Sequence, residues 1–194
     1  MRAMRMVVAG LAVLLLNDAF AQQPVTPASS QDPGKIAPLT LRARIALPGV
    51  YGRMDHYGWD SKRGILIVSA LGNNTVEIVD QWRRVQSITG LEHPQASLYI
   101  PGVDRIVISS QSGKLRFYDA GSCALIKTLD FGAGANTDNM RYDPETKLMY
   151  VGYGEGQRGA LAMVNPTTME RVQEYRLGSH PESFNWKGTG PEFS

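Results

Sequence analysis

Histidine is the side chain best suited to ligate a metal or move a proton near neutral pH, and this chain has three: His56, His93 and His180. They stand in the polar clusters Asp55-His56, His93-Pro94-Gln95 and His180-Pro181-Glu182, each just before or at the start of an extended apolar segment. Three imidazoles that converge can hold a metal ion or an anionic ligand. Asp55 stands where it can orient the His56 ring. Thr137-Asp138-Asn139 occupies the corresponding place in another segment and carries no histidine. Metal ligation needs contacts of ~2 Å, and neighbouring segments hold such positions well apart. Hydrogen bonding within and between segments is therefore the simpler role. Asp55, His56, His93, Asn139 and His180 are the candidate binding residues, with no metal and no catalytic role assigned to them.

Other chemistry-bearing residues read more simply as structure. Asp80, Asp119 and Asn165 close successive apolar runs. They can look like a carboxylate set for acid/base work, but Asp and Asn cap turns by accepting from the backbone that follows them. Gly152-Tyr153-Gly154-Glu155-Gly156 has no helix after it, so it is a hairpin loop and not a phosphate cradle. Cys123 is the single cysteine. It lies in a turn without a basic partner nearby in sequence, which favours a small filler over a nucleophile. Covalent haem is excluded by the lack of C-x-x-C-H, and no phosphate loop, serine elbow or zinc motif is present. The cofactor is therefore left unassigned.

The elements that must position these residues are repeated. Residues 65–80 (ILIVSALGNNTVEIVD), 105–119 (RIVISSQSGKLRFYD) and 148–165 (LMYVGYGEGQRGALAMVN) share one plan. Each has an apolar run rich in β-formers, a Gly/Asn/Ser turn, a second run and a closing Asp or Asn. A further run follows each: RRVQSITGL, ALIKTLDFG and ERVQEYRLG. A spacing of about 40 residues built from short strands is the signature of propeller blades. The expectation is an all-β β-propeller with three four-stranded blades at about 55–90, 93–132 and 137–178. A fourth starts at 179 and stops at 194. Residues 41–47 (LRARIAL) read as a last strand that precedes any first strand. That fits an outer strand of a blade shared between the two ends of a ring. Together these features predict an incomplete ring, the first half of a longer propeller interrupted within its fourth repeat.

The chain has 194 residues, 43% hydrophobic and 20% charged, with a net charge of +2. This charge is too small and scattered to point to nucleic acid. Arg2 and Arg5, the apolar stretch at 7–16 (VVAGLAVLLL) and Ala19-Phe20-Ala21 form a secretory leader over residues 1–21, with Gln22 as the first mature residue. The apolar stretch is too short to span a bilayer, which takes about 20 residues. No stable membrane anchor is therefore expected after cleavage, and the protein is expected in the periplasm or outside the cell. Residues 22–38 (QQPVTPASSQDPGKIAP) read as a disordered linker, leaving 39–194 for the propeller.

The stretches GRMDHYGWDSKRGILIVSALGNNTVEIVD, NMRYDPETKLMYVGYGEG and SHPESF resemble the YVTN-type β-propeller repeats of the secreted YncE-like group, over about Leu39 to Phe184. The resemblance implies a blade of a ring that is usually seven-bladed. This chain departs from the group where Gly190-Pro191 is followed by Glu192-Phe193-Ser194 instead of an apolar strand. A non-catalytic module for a protein or small-molecule ligand is the function expected. The alternatives are a fragment of a propeller enzyme, lactonase-like or quinone-dependent dehydrogenase-like, and a remnant without independent function.

Overall fold

The computed structural model describes residues 40–81, 83–187 and 190–193. The leader at 1–21 and the linker expected at 22–38 lie outside the described residues.

Twelve strands form three antiparallel sheets, each built from four strands in sequence order. The first holds β1 (Tyr57–Asp60), β2 (Ile65–Ala70), β3 (Thr75–Val79) and β4 (Arg84–Ile88). The second holds β5 (Pro94–Ile100), β6 (Arg105–Ser110), β7 (Lys114–Asp119) and β8 (Leu125–Asp130). The third holds β9 (Met140–Asp143), β10 (Leu148–Tyr153), β11 (Ala160–Asn165) and β12 (Glu170–Arg176). A last hairpin pairs β13 (Phe184–Lys187) with β14 (Gly190–Phe193).

The middle strands of the second and third sheets are almost continuously apolar because these sheets are covered on both faces. Alternate residues then serve different neighbours. Ile106, Ile108 and Tyr118 of the second sheet pack on Ile67, Val76 and Ile78 of the first. Val107, Leu115 and Phe117, on its opposite face, pack on Met149, Val151 and Val164 of the third. Phe184 continues the stack by covering Tyr150 and Leu161. Side chains such as Phe117 and Ile108 are fully buried, and each contributes roughly 1.5–3 kcal/mol through lost apolar exposure. β12 is exposed along its whole length. β5 packs against both β1 and β9, so the first strands converge and the fourth strands splay outward. These are β-propeller blades, three complete and a fourth begun, arranged as an open arc.

The turns share one device. Asp60, Asp119, Asp143 and Asn165 each accept at the main-chain carbonyl from the N–H four residues on. Their side chains also accept from the turn. Asp119 Oδ1 takes the Gly121 and Ser122 N–H groups at 3.1 and 2.8 Å, and Asn165 Oδ1 takes those of Thr167 and Thr168 at 2.8 and 3.2 Å. Asp80 does the same for Arg83 at 2.8 Å. The carboxylate set is a set of turn caps.

Residues 41–47 do not form the strand that their pattern suggested. A strand needs a partner for its backbone groups, and among the described residues none lies beside this segment. Leu41 stays exposed. The chain docks instead at 48–53. The Pro48 carbonyl accepts from Arg84, and the Arg53 carbonyl accepts from the Gly72 N–H. A Cβ on Gly72 would fall 2.6 Å from the Arg53 nitrogen, so glycine permits this approach.

Candidate functional site

The site lies where the first strands begin. Tyr57 pairs with Val68, Ser97 with Ile108 and Met140 with Val151. Just ahead of these pairs, the Asp55 N–H donates to the Ser69 carbonyl and the Asp138 N–H to the Gly152 carbonyl. Asp55 and Asp138 therefore occupy one repeat position, and His56 and Asn139 the next. The register sets Ala96 at the place of His56. The three histidines do not share a position: His93 and His180 match each other, two residues ahead of the aspartate position.

Asp138 is the centre of the group. Its residue is 7% exposed. His180 Nε2 lies 3.4 Å from its Oδ2, and His56 Nε2 lies 3.8 Å from its Oδ1. The His56 ring is also 3.8 Å from Asp55 Oδ1. At 3.8 Å an imidazole attracts a carboxylate when charged but makes no hydrogen bond. Asp138 Oδ1 is thus buried without a hydrogen-bond partner. Burial pushes the Asp138 carboxyl above its ordinary range, and the Asp55 charge adds to this; the His180 hydrogen bond and the His56 charge pull the other way.

Blade three supplies the seat for His180. A Cβ on Gly159 would stand 1.6 Å from the Ser179 carbonyl oxygen, and one on Gly152 would stand 2.9 Å from Pro181 Cγ. With no side chain at these positions, residues 179–182 lie directly on the blade. His180 Nδ1 then reaches the Gly154 carbonyl. Asn139, itself buried, donates from Nδ2 to the Glu182 carbonyl. The Glu182 side chain is exposed at the rim, and Asp138, His180 and Glu182 bring ligand atoms within 4.8 Å of one another.

His93 is placed differently. It is exposed, with φ 48°, and is held by its backbone: its N–H donates to Asn74 Oδ1 at 2.9 Å and its carbonyl accepts from Gln111. In its blade Gln95 links sideways, donating from Nε2 to Asn136 Oδ1 at 2.6 Å and to the Thr137 carbonyl at 3.1 Å. The structure therefore brings Asp55, His56, Asn139 and His180 around Asp138 and leaves His93 on the surface. Asp138 and Glu182 are the residues absent from the sequence-derived set. Matching Asp55-His56 with Asp138-Asn139 points to the first, and matching Gln95 with Glu182 points to the second. The glycines at 152 and 159 carried no signal of their role.

A cavity of about 530 Å³ opens beside this cluster and runs along the first strands. His56, Asn139 and Glu182 line its polar end, and Trp59, Leu98 and Tyr99 its apolar wall. Cys123 lies elsewhere, against the core between the first two blades. Burial pushes its thiol up, and the nearby Asp119 charge pushes it further.

No protein-family model matches the chain, and no curated protein matches it. Solved structures do. Hydrazine synthase of Kuenenia stuttgartiensis superposes with a TM-score of 0.59 at 20% identity, over 77% of this chain and 41% of that one. The computationally designed Ika8 protein superposes with a TM-score of 0.61 at 11% identity, over 76% and 44%. The chain spans less than half the length of these structures. At such identities the likeness shows the all-β fold with its four-stranded antiparallel blades, and that alone.

Proposed function

We propose that this chain is an exported, non-catalytic β-propeller module of the YVTN type, whose site where the first strands begin, the channel mouth of a complete ring, binds a small ligand or a protein segment bearing a hydrogen-bond donor or positive charge. The observation that carries the reading is the buried Asp138 Oδ1, without a hydrogen-bond donor, 3.8 Å behind His56, which lines the polar end of the 530 Å³ cavity. A buried carboxylate oxygen left without a donor costs several kcal/mol at most sites, and a ligand that supplies the donor recovers this. The apolar wall beside it supplies contact area, the usual division of labour in a binding site.

The export part rests on the sequence of residues 1–21, whose charged start, apolar stretch and Ala19-Phe20-Ala21 fit a cleaved leader. The YVTN part rests on the repeat stretches quoted above.

Two measurements test this. The chain expressed with its own N-terminus should be recovered from the periplasm or medium with Gln22 as its first residue; an intact N-terminus in the cytoplasm overturns export. A library of small amines and peptides titrated into ¹⁵N-labelled chain should shift the amides of His56, Ala96–Tyr99 and Asn139–Arg141. Shifts confined to the outer strands, or none, overturn the binding site.

A further inference from the structure

We infer that the Asp138–His180–Glu182 cluster is a divalent transition-metal site of the zinc class, a deepening that rests on the channel mouth being a binding site. The first support is the direction of the His180 ring. A carbonyl oxygen only accepts, so the bond to Gly154 places a hydrogen on Nδ1. In neutral histidine the Nε2 lone pair then faces the Asp138 carboxylate at 3.4 Å. Two acceptors face each other unless a proton or a cation stands between them. Ligating histidines are usually oriented in this way, with a backbone carbonyl or carboxylate fixing one ring nitrogen while the other faces the metal.

The distances agree with this. Ligand atoms bound at ~2.0–2.1 Å in a tetrahedral site stand about 3.3 Å apart. His180 Nε2 and Asp138 Oδ2 already stand 3.4 Å apart. Glu182 lies within 4.8 Å of both, and its exposed side chain has room to close the gap. The second, independent observation is the orphaned Asp138 Oδ1, on a residue more than nine-tenths buried and on the same carboxylate that faces His180. His56 Nε2, 3.8 Å from that oxygen and 47% exposed, is a further imidazole donor beside the cluster. One or two imidazoles with carboxylates is a donor set that suits Zn²⁺, Co²⁺ and Ni²⁺ better than Ca²⁺ or Mg²⁺, which favour all-oxygen shells.

The test is calorimetric titration of Zn²⁺ into untagged, EDTA-treated chain, with Co²⁺ absorption as a second readout. One Zn²⁺ per chain is expected, with Co²⁺ giving the intense visible bands of a tetrahedral site. His180→Gln and Asp138→Asn should weaken binding by about 100-fold, Glu182→Gln by about tenfold, and His93→Gln not at all. If Asp138→Asn loses its fold by circular dichroism, Glu182→Gln at the exposed rim and the Co²⁺ spectrum of the wild type decide the question. Absence of Zn²⁺ and Co²⁺ binding overturns the metal site and makes His180–Asp138 an ion pair. So does binding that depends on His93 and not on His180. If organic ligands still shift the channel-mouth amides while Zn²⁺ does not bind, the metal reading alone falls.

Discussion

Asp138 and Asp60 are both buried aspartates flanking the first strand of a blade, yet they end in opposite conditions. Asp60, at the far end of β1, is 1% exposed and fully engaged. Its Oδ1 accepts from the Lys62 and Arg63 N–H groups at 2.9 and 3.0 Å, and its Oδ2 accepts from Arg63 Nη1 at 2.7 Å. Arg63 also grips Asp104 of the next blade with Nη1 and Nη2, at 2.8 and 2.9 Å. The Arg63 and Lys62 hydrogen bonds hold the Asp104 carboxyl well below the usual range, and the Asp104 and Asp60 carboxylates hold the Arg63 guanidinium above its own. Asp143 repeats the turn-end role in blade three, taking the Glu145 N–H at 2.9 Å and the Thr146 hydroxyl at 2.6 Å. Asp138, at the near end of β9, keeps one buried oxygen without a donor. In blade three the turn end has its hydrogen bonds made, and the near end keeps a buried carboxylate oxygen without a donor. Charge alone does not distinguish them; completeness of hydrogen bonding does.

The sharpest way to break this contrast is to remove the seat that creates it. Gly159→Ala places a methyl group where the Ser179 carbonyl passes, so residues 179–182 must leave the blade. Overpacking of this kind costs about 3 kcal/mol, and His180 should lose its place beside Asp138. Urea unfolding should show the loss in stability, and the His180 imidazole resonances should move toward those of a free histidine. If Gly159→Ala leaves both unchanged, the seat described here does not hold His180.

Like-for-like replacement of the two aspartates comes next. Asp60→Asn keeps an acceptor for the turn but removes the charge beside Arg63. A loss of about 2 kcal/mol is expected from a charge-assisted hydrogen bond in a buried setting. Asp138→Asn should cost less than about 1 kcal/mol in metal-free protein, because it also removes the burial cost of a carboxylate whose ionisation is already disfavoured. Equal losses in the two variants, measured by chemical denaturation at pH 7, would erase the distinction between the two ends.

Much of this was legible in the chain. The repeat of apolar runs, turns and closing Asp or Asn gives the blades, because period-two burial and turn chemistry are local properties. Asp119 and Asn165 cap their turns as their residue types imply. The segment at 41–47 shows the limit: it has a strand's pattern, but pairing depends on a neighbour that pattern does not report. The site shows another limit. Asp55, His56, Asn139 and His180 stand out by type, but their meeting at Asp138 depends on register. In blade two the register sets Ala96 at the place of His56, and His93 stands three residues ahead of it. Nor does sequence show that Gly159 is small for the sake of Ser179, a contact between residues in different blades.

The smallest effect separates carboxylates by the sign of their pH response. Glu92, at the start of blade two, accepts from Lys114 Nζ at 2.9 and 3.1 Å. This hydrogen bond, helped by Ser112, lowers its pKa from 4.5 to about 2. A carboxyl whose folded pKa is depressed binds protons more readily in the unfolded chain. Its contribution is therefore present above about pH 4.5 and is lost as pH falls from there through about 2. Half of the Glu92 side chain is exposed, so solvent and salt keep the contribution small. Asp138 has the opposite sign: its folded pKa is raised, so acidification through that value relieves a cost. Glu92→Gln should flatten the wild-type decline in stability below pH 4.5 slightly, and added salt should shrink the difference between the two proteins. A steeper acid decline in Glu92→Gln than in the wild type would mean that the Lys114 contact opposes folding, and Glu92 would then join Asp138 among the carboxylates that the fold leaves uncompensated.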